Sequence, residues 1–362
     1  MPLRVAFVGF RHGHIFGLYR LAQERSDTSV VAACEEDGPT RGTLAEAGVE
    51  VTHDDYARML ADVDCDVVAC GDYFGIRGER VIQALESGRH AISDKPLCTS
   101  MSELIRIHAL SESAAGRQEA ASVTRRLKVG CMLDLGNLGP YVTLREMLMR
   151  GVIGETHSIT FLGQHPLLYG TRPMWNFEPG KHGGTLNDIA VHAIDIIPWL
   201  TGRAIVEITA ARAWNAKIKR HPCFQDGAAL MMRLDNDGSA IGDVSYLSSD
   251  KHGYQMPPYW RFTIAGSKGV AETCCTAKGL TIWRHDNEAV IEEPAAPNRP
   301  GAYFDDFLAD IAGTPVPDGL HTQRVLESSR ISLLAQQAAD TGEFPIDVTH
   351  EKVRFPAAPG NG

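Results

Sequence analysis

The first third of the chain alternates short apolar runs with longer stretches of helical periodicity. The apolar runs lack polar alternation, which is typical of parallel strands buried on both faces, and they cover residues 4–8, 30–34, 67–69 and 90–93. Helical patterns lie between them at residues 19–25, 56–61 and 77–87. This order predicts an α/β fold with a parallel sheet.

Beyond about residue 124 the pattern changes to longer segments of alternating polarity. They cover residues 157–162, 228–234 and 240–246, and they predict antiparallel strands with one polar face. Helical patterns follow at residues 303–311 and 322–341. We therefore predict a first domain over residues 1–124, a second domain of α+β type over residues 125–350 and a loose tail over residues 351–362.

Composition narrows the class of protein. A chain of 362 residues with 44% hydrophobic and 22% charged residues suits two globular domains. Its formal net charge of -10 argues against nucleic acid and against an anionic membrane surface as partners. No apolar run is long enough for a membrane span or an export signal, and the eight cysteines form no CxxC pair. We expect a soluble cytoplasmic protein without a structural metal.

The turn after the first strand is a candidate dinucleotide-binding loop. A Gly-x-Gly-x-x-Gly turn normally lies between strand and helix at this point, and here Gly9, Phe10, Arg11 and His12 occupy it. Gly9 is in register, but Arg11 replaces the second glycine and Gly13 falls one position short of the third. The pattern equally fits an ordinary strand-to-helix turn.

Two further strand ends carry candidate polar groups. Glu35 follows the second strand, where an acidic side chain binds the ribose hydroxyls of NAD and repels the 2′-phosphate of NADP; a solvated acidic loop is the alternative. Asp94 and Lys95 follow the strand over residues 90–93, at the edge where parallel sheets bind ligands. Pro96 favours an extended or turn conformation at Lys95, which fixes the direction of the ammonium group.

A glycine pair opens the helical pattern that carries Asp188 and His192. Gly183 and Gly184 precede it, and the four-residue spacing places Asp188 and His192 on one helix face. The pair also fits a buried structural contact or half of a zinc site, but no HExxH motif or third ligand is evident.

Together these segments resemble the glucose-fructose oxidoreductase, inositol dehydrogenase and MocA family (Gfo/Idh/MocA). Residues 88–97, Gly-Arg-His-Ala-Ile-Ser-Asp-Lys-Pro-Leu, are similar to the family's Gly-Lys-His-Val-x-x-Glu-Lys-Pro-Leu segment. Residues 183–202 are similar to the stretch that contains its Gly-Gly-x-x-x-Asp-x-x-x-His-x-x-Asp helix, and residues 153–155 and 264–269 also match. The resemblance implies a Rossmann domain, a second domain with a large, open, mainly antiparallel sheet, a catalytic cleft between them and a homo-oligomer.

The resemblance also implies roles for single residues. His192 would act as the base, Lys95 would stabilise negative charge on the reacting oxygen, and Asp188 would orient the substrate or the imidazole. The family's Thr-Pro-x-x-x-His segment appears here as Cys70-Gly71-Asp72-Tyr73-Phe74-Gly75, so Cys70 and Gly71 join the expected cofactor contacts. Like the altered glycine turn, this departure falls on cofactor contacts and leaves the catalytic positions intact.

The segment over residues 165–182 precedes the catalytic helix and is rich in aromatic and donor side chains. With Lys95, Asp188 and His192, we expect Arg172, Trp175 and His182 to bind a small sugar or polyol; an interface loop is the alternative. The predicted function is an oxidoreductase that moves a hydride between NAD and a secondary hydroxyl. Two alternatives stay open, namely net glycoside hydrolysis or isomerisation with tightly held NAD, and a non-catalytic regulatory homologue.

Overall fold

A computed structural model describes residues 1–113, 126–350 and 354–355 of the chain. The described residues form two compact units. The first contains Met1–Met132, Tyr303–Glu327 and Phe355, and the second contains Leu133–Ala302 with Ser328–Arg354, apart from the residues not described.

A parallel sheet forms the centre of the first unit. In the described residues its strands are β1 Leu3–Val8, β2 Thr28–Cys34, β3 Val67–Cys70, β4 His90–Ser93 and β5 Val129–Cys131, in the order β2-β1-β3-β4-β5. The central strands β3 and β4 are buried along their whole length, as expected for a sheet covered on both faces. The strand order reverses between β1 and β3, and such a reversal is the usual ligand-binding point of a doubly wound sheet.

Helices connect these strands. They are α1 Ile15–Glu24, α2 Gly38–Leu44, α3 Tyr56–Asp62, α4 Phe74–Glu86 and α5 Met101–Glu112. Local chemistry fixes their starts: the Asp37 and Asp55 carboxylates accept main-chain N–H groups at the first turns of α2 and α3. Ser100 and Glu103 form a reciprocal capping box at the start of α5.

A larger sheet forms the second unit. Its strands, again among the described residues, are β6 Thr156–Pro166, β7 Ile205–Trp214, β8 Gly227–Leu234, β9 Ser239–Ser248, β10 Arg261–Gly266, β11 Gly269–Cys274, β12 Gly279–Arg284, β13 Ile291–Pro294 and β14 Ile346–Asp347. Their order is β13-β12-β11-β10-β6-β9-β8-β7-β14. The β6–β9 pair is parallel and the other neighbouring pairs are antiparallel.

The remaining α-helices of the described residues are α6 Gly139–Met149, α7 Val191–Thr201, α8 Ala302–Ile311 and α9 Thr322–Thr341.

This architecture confirms the predicted fold class, a parallel α/β sheet with a second, mainly antiparallel α+β unit. The division of the chain differs from the predicted one, because Tyr303–Glu327 belongs to the first unit. The predicted boundary at residues 124 and 125 and most of the predicted tail lie outside the described residues. Among the helices that the structure describes, none is long and apolar enough to cross a membrane.

Candidate active site

The turn between β1 and α1 lies at the sheet's reversal point. Gly9 has a φ of 74°, and a Cβ atom added there would meet Cβ of Asp72 at 2.6 Å. Gly71, at the end of β3, approaches α1 so closely that an added Cβ would lie 2.4 Å from Ile15. Gly71 thus allows the close helix–sheet packing that the third glycine of the usual fingerprint provides.

The surface of this turn suits a dinucleotide. Among the described residues, no heavy atom beyond Gly13 and its chain neighbours lies within 4 Å of the position of a Cβ there, so this main chain is open to a ligand. α1 begins two residues later at Ile15, and a helix N-terminus attracts phosphate oxygens through its N–H groups and dipole. Phe10 is buried beneath the turn. The residues present therefore fit a pyrophosphate group although two glycines of the fingerprint are displaced.

Glu35 is completely buried at the end of β2. Its carboxylate accepts the Phe10 N–H at 2.7 Å and the Asp37 N–H at 2.8 Å. Burial raises the pKa of Glu35, and these two N–H groups lower it in part. The carboxylate lies beside the turn, at the position expected for a ribose ligand, and it is covered rather than exposed.

Arg11 covers that carboxylate. Its Nε lies 3.5 Å from Oε1 of Glu35 and 3.3 Å from Oδ1 of Asp72, and its guanidinium lies 5.1 Å from the centre of the Tyr73 ring. The Arg11 side chain is mostly buried. The guanidinium therefore balances two buried carboxylates at the place where the usual motif has bare main chain.

Asp94 is the centre of a second polar group, at the end of β4. It is fully buried, and its Oδ2 contacts Nδ1 of His12 while its Oδ1 lies 3.1 Å from Nδ1 of His14. Nη2 of the buried Arg77 lies 3.4 Å from Oδ2. Burial alone raises the pKa of Asp94, but His12, Arg77 and His14 outweigh it and hold the pKa well below its usual range. Burial lowers the pKa of His12 to about 4, and Asp94 offsets only part of that effect.

Lys95 follows directly and is 5% exposed. Its N–H donates to Oδ1 of Asp94 at 2.7 Å, and Arg77 donates to its carbonyl oxygen and to that of Pro96. Its ammonium lies 5.8 Å from the centre of the Phe74 ring. These contacts fix the main chain of Lys95 at the carboxyl edge of the sheet.

Cys70, another predicted cofactor contact, is buried at the end of β3, and burial raises the pKa of its thiol to about 12.

In the second unit the glycine pair allows an unusual helix start. Gly183 and Gly184 have φ values of 77° and 94°, and a Cβ on Gly184 would lie 2.1 Å from Gln336. Oε1 of Gln336, on α9, accepts the Leu186 N–H at 2.9 Å. A π-helical turn, Leu186–Ala190, then leads into α7. Such turns are frequent at functional sites.

Asp188 lies on this π-helical turn and is buried. Its Oδ2 accepts a hydrogen bond from the Tyr246 hydroxyl, and Nε2 of His182 lies 3.5 Å from the same oxygen. Nε2 of His182 also lies 3.0 Å from the Tyr246 hydroxyl. The guanidinium of Arg172 lies 4.8 Å from the centre of the Tyr246 ring. The structure therefore brings Asp188 together with Arg172 and His182, two of the predicted substrate residues.

His192 lies in the first turn of α7 and is partly exposed. Its ring makes an edge contact with Trp260, with ring centres 5.5 Å apart. Trp175, a further predicted substrate residue, is 7% exposed within a short 3-10 turn, Met174–Phe177.

Sequence reasoning missed several residues of these groups, among them Arg77 beside Asp94 and Trp260 beside His192. Tyr246 and Gln336 contact the π-helical turn from β9 and α9, and His14 joins Asp94. Tyr246 and Gln336 lie in ordinary strand and helix patterns far along the chain and give no local signal. The His12-Gly13-His14 spacing was a signal that could have directed attention to His14.

The chain matches family models over both units. Residues 3–121 match the model described as an oxidoreductase family with an NAD-binding Rossmann fold, and residues 141–272 match the GFO/IDH/MocA C-terminal domain. Together the matched ranges cover more than half of the chain.

Individual relatives are more distant. The inositol 2-dehydrogenase/D-chiro-inositol 3-dehydrogenase of Lactiplantibacillus plantarum is 26% identical over 275 residues, which are 74% of this chain and 69% of that protein. The D-glucoside 3-dehydrogenase of Escherichia coli is 27% identical over 253 residues, 68% of this chain and 67% of that protein. An oxidoreductase from Agrobacterium radiobacter, solved with NAD+, L-tartaric acid and magnesium, has a TM-score of 0.75 at 18% identity and covers 96% of this chain and 99% of its own. That similarity supports the fold.

Proposed function

The chain belongs to the GFO/IDH/MocA family of oxidoreductases with an NAD-binding Rossmann domain, and from this premise we propose its substrate class and the roles of its residues. The enzyme transfers a hydride between NAD and a secondary hydroxyl of a sugar, polyol or sugar derivative. NAD, when bound, supplies the hydride acceptor. The observation that carries the proposal is the buried Asp188 carboxylate with the Tyr246 hydroxyl and His182 beside it.

The chemistry assigns one task to each of three side chains. Removing a hydride from a carbinol carbon requires that the hydroxyl proton leave, and the imidazole of His192 takes it, since histidine is the side chain that most often serves as a general base. Lys95 donates a hydrogen bond to the same oxygen and stabilises its developing negative charge. Asp188 accepts a hydrogen bond from the substrate or orients the imidazole.

The substrate class follows from the donors and acceptors around Asp188. The buried His182 and Tyr246 and the half-buried Arg172 present hydrogen-bonding groups side by side, and a compound with several hydroxyls suits such a set. Trp175, in the same segment, supplies an apolar face. The inositol and glucoside named in the two relatives belong to this substrate class.

The cofactor contacts come from the turn and the strand ends of the first unit. Gly9, Phe10, Arg11 and His12 form the turn that would hold the pyrophosphate, and Cys70, Gly71, Asp94 and Lys95 lie at the ends of β3 and β4, where further cofactor contacts would form. Glu35 favours NAD over NADP because its carboxylate repels a 2′-phosphate. Because Arg11 covers the Glu35 carboxylate, its guanidinium would shift toward the phosphate oxygens when Glu35 binds a ribose hydroxyl.

The test is a substrate panel with purified protein. NAD or NADP is mixed with myo-inositol, other inositols, glucosides and simple sugars, and NADH is followed by its absorbance while substrate loss is followed by chromatography. We expect NADH formation with a polyol or sugar and weaker activity with NADP. Substrate loss without net NADH would instead indicate that NAD is held tightly and that the NADH formed from it re-reduces an intermediate in the same cycle. No change in any compound of the panel would contradict the proposed substrate class.

A further inference from the structure

We propose that His12, His14 and Asp94 form a binding site for one divalent transition-metal ion. Each residue offers a ligand atom, and these three atoms lie within 4.8 Å of one another. The site lies in the first unit and does not depend on the proposed substrate or reaction.

Metal binding requires local side-chain movements, because each Nδ1 atom now lies beside a different oxygen of the Asp94 carboxylate. Zinc bonds to histidine nitrogen at about 2.0–2.1 Å and to carboxylate oxygen at about 2.0–2.2 Å, so three ligand atoms around one ion lie about 3–4 Å apart. The two rings are nearly perpendicular, with centres 4.5 Å apart, and both Nδ1 atoms face the Asp94 carboxylate. The His14 side chain is 53% exposed and therefore has room to change its rotamer when an ion binds.

The ligand types suit a transition metal. Two imidazoles and one carboxylate form a common ligand set of catalytic zinc and of other first-row metals with open coordination positions. The turn His12-Gly13-His14 and the end of β4 supply these ligands from two separate segments that the sheet holds in place.

The Asp94 carboxylate is oriented by groups outside the ligand set. The Lys95 N–H donates to Oδ1, and the guanidinium of Arg77 approaches Oδ2. Such outer contacts to a ligating carboxylate are typical of metal sites. Nε and Nη1 of Arg77 donate to main-chain carbonyl groups of Asp72, Lys95 and Pro96, so the guanidinium is held in place.

Access to the cluster comes through His14, which is exposed at the start of α1. Three protein ligands leave coordination positions for water or an anion. Because His12 and His14 belong to the turn proposed to hold the pyrophosphate, a metal here would lie beside the phosphate oxygens of the cofactor.

The experiment measures zinc binding by the full chain in the absence of nucleotide. Metal-free protein is titrated with Zn²⁺ against a chromophoric chelator and with Co²⁺ by visible absorbance, under reducing conditions. The variants are His14→Gln and His12→Gln, with His53→Gln as a matched control because His53 lies in the same unit outside the cluster. Circular dichroism checks that each variant is folded.

We expect one Zn²⁺ site in the wild type and in His53→Gln, and a loss of affinity of at least about tenfold in both cluster variants, which is the lower limit for loss of even an outer partner of a metal. The Co²⁺ spectrum of the wild type should show d–d bands that the cluster variants lack. Absence of zinc binding by the wild type, or equal zinc affinity in the wild type and both cluster variants, would overturn the proposal. If His12→Gln does not fold, His14→Gln alone tests the proposal, because replacing the exposed His14 should leave the fold intact.

Discussion

The hydroxyl group of Tyr246 donates a hydrogen bond to the Asp188 carboxylate, although 58 residues separate the two in sequence. Tyr246 lies on β9 and is 1% exposed, and Asp188 lies on the π-helical turn and is 2% exposed. His182 contacts both groups. This hydrogen bond from β9 therefore orients the Asp188 carboxylate. Tyr246 is a positioning residue for Asp188.

Replacing Tyr246 by Phe should lower turnover by about tenfold. The variant removes one donor from a buried carboxylate, which costs about 1–3 kcal/mol, and 1.4 kcal/mol corresponds to a factor of ten. Steady-state kinetics with the best substrate of the panel measures the change. Tyr254→Phe is the matched control, since Tyr254 is 42% exposed in the same unit. If Tyr246→Phe keeps the wild-type kcat and pH profile, Tyr246 does not position the carboxylate.

Replacing Lys95 or His192 by Ala should each lower kcat on the order of a hundredfold, because the enzyme loses an oxygen-stabilising donor or its base. NAD affinity of His192→Ala, measured by fluorescence titration, should stay near that of the wild type. Lys251→Ala and His252→Ala serve as controls, since both side chains are exposed. A change confined to KM would show that the replaced group binds the substrate equally in ground state and transition state, which contradicts its catalytic role.

The sequence predicted β1 to β4 of the first unit because each is a short, mostly apolar run between turn residues, whereas β5 Val129–Cys131 was not predicted. His90–Ser93 and Thr322–Thr341 have the predicted bounds, and the α/β class is confirmed. The assignment of Tyr303–Glu327 to the first unit was not predictable. Hydrophobic periodicity shows that a helix such as α8 has an apolar face, but it does not show which sheet that face covers.

The candidate site was predictable only where its residues lie in motifs. Asp188, His192 and Lys95 belong to segments that resemble family motifs, whereas Tyr246 reaches the site only through the pairing of β9 with its neighbours. The burial of Glu35 beneath Arg11 was also not predicted. An acidic residue after a strand has the same sequence pattern whether it faces solvent or is covered.

Asp310 should make the stability of the protein depend on pH in the acid range. Its carboxylate accepts the N–H and the hydroxyl of Thr322 at the start of α9, and Nζ of Lys128 lies 2.8 Å away. Burial raises the pKa of Asp310, but Lys128 and Thr322 outweigh this effect and lower it overall. A lowered pKa means that the stabilisation is complete above the unfolded-state pKa of about 3.9 and is lost as the pH falls through the lower folded-state pKa.

Asp310→Asn should therefore destabilise the protein at pH 7 by about 1–3 kcal/mol, because a buried charge-assisted set of hydrogen bonds is weakened. The difference in unfolding free energy between the variant and the wild type should shrink as the pH falls below the unfolded-state pKa. Urea unfolding at several pH values measures it, with Asp54→Asn at an exposed position as control. A difference that is the same at neutral and acid pH would show that the ionised form of Asp310 contributes nothing.

Arg11 should strengthen NAD binding rather than obstruct it. Its guanidinium balances Glu35 and Asp72 beside the turn proposed to hold the pyrophosphate. Without it, two buried carboxylates would repel the phosphate oxygens, and a forked donor able to pair with phosphate would be lost. Arg11→Ala should therefore weaken NAD binding in an isothermal titration, most clearly at low salt, where repulsion is least screened.

The matched control is Arg20→Ala, because Arg20 is an exposed arginine on α1 and its loss changes the net charge equally. It should leave NAD affinity close to the wild-type value. Thermal unfolding of Arg11→Ala without nucleotide separates a loss of folding from a loss of binding. A clear gain in NAD affinity on removing Arg11 would mean that the side chain blocks the site, and a cofactor-poor or regulatory role of this turn would then explain the departure from the glycine pattern.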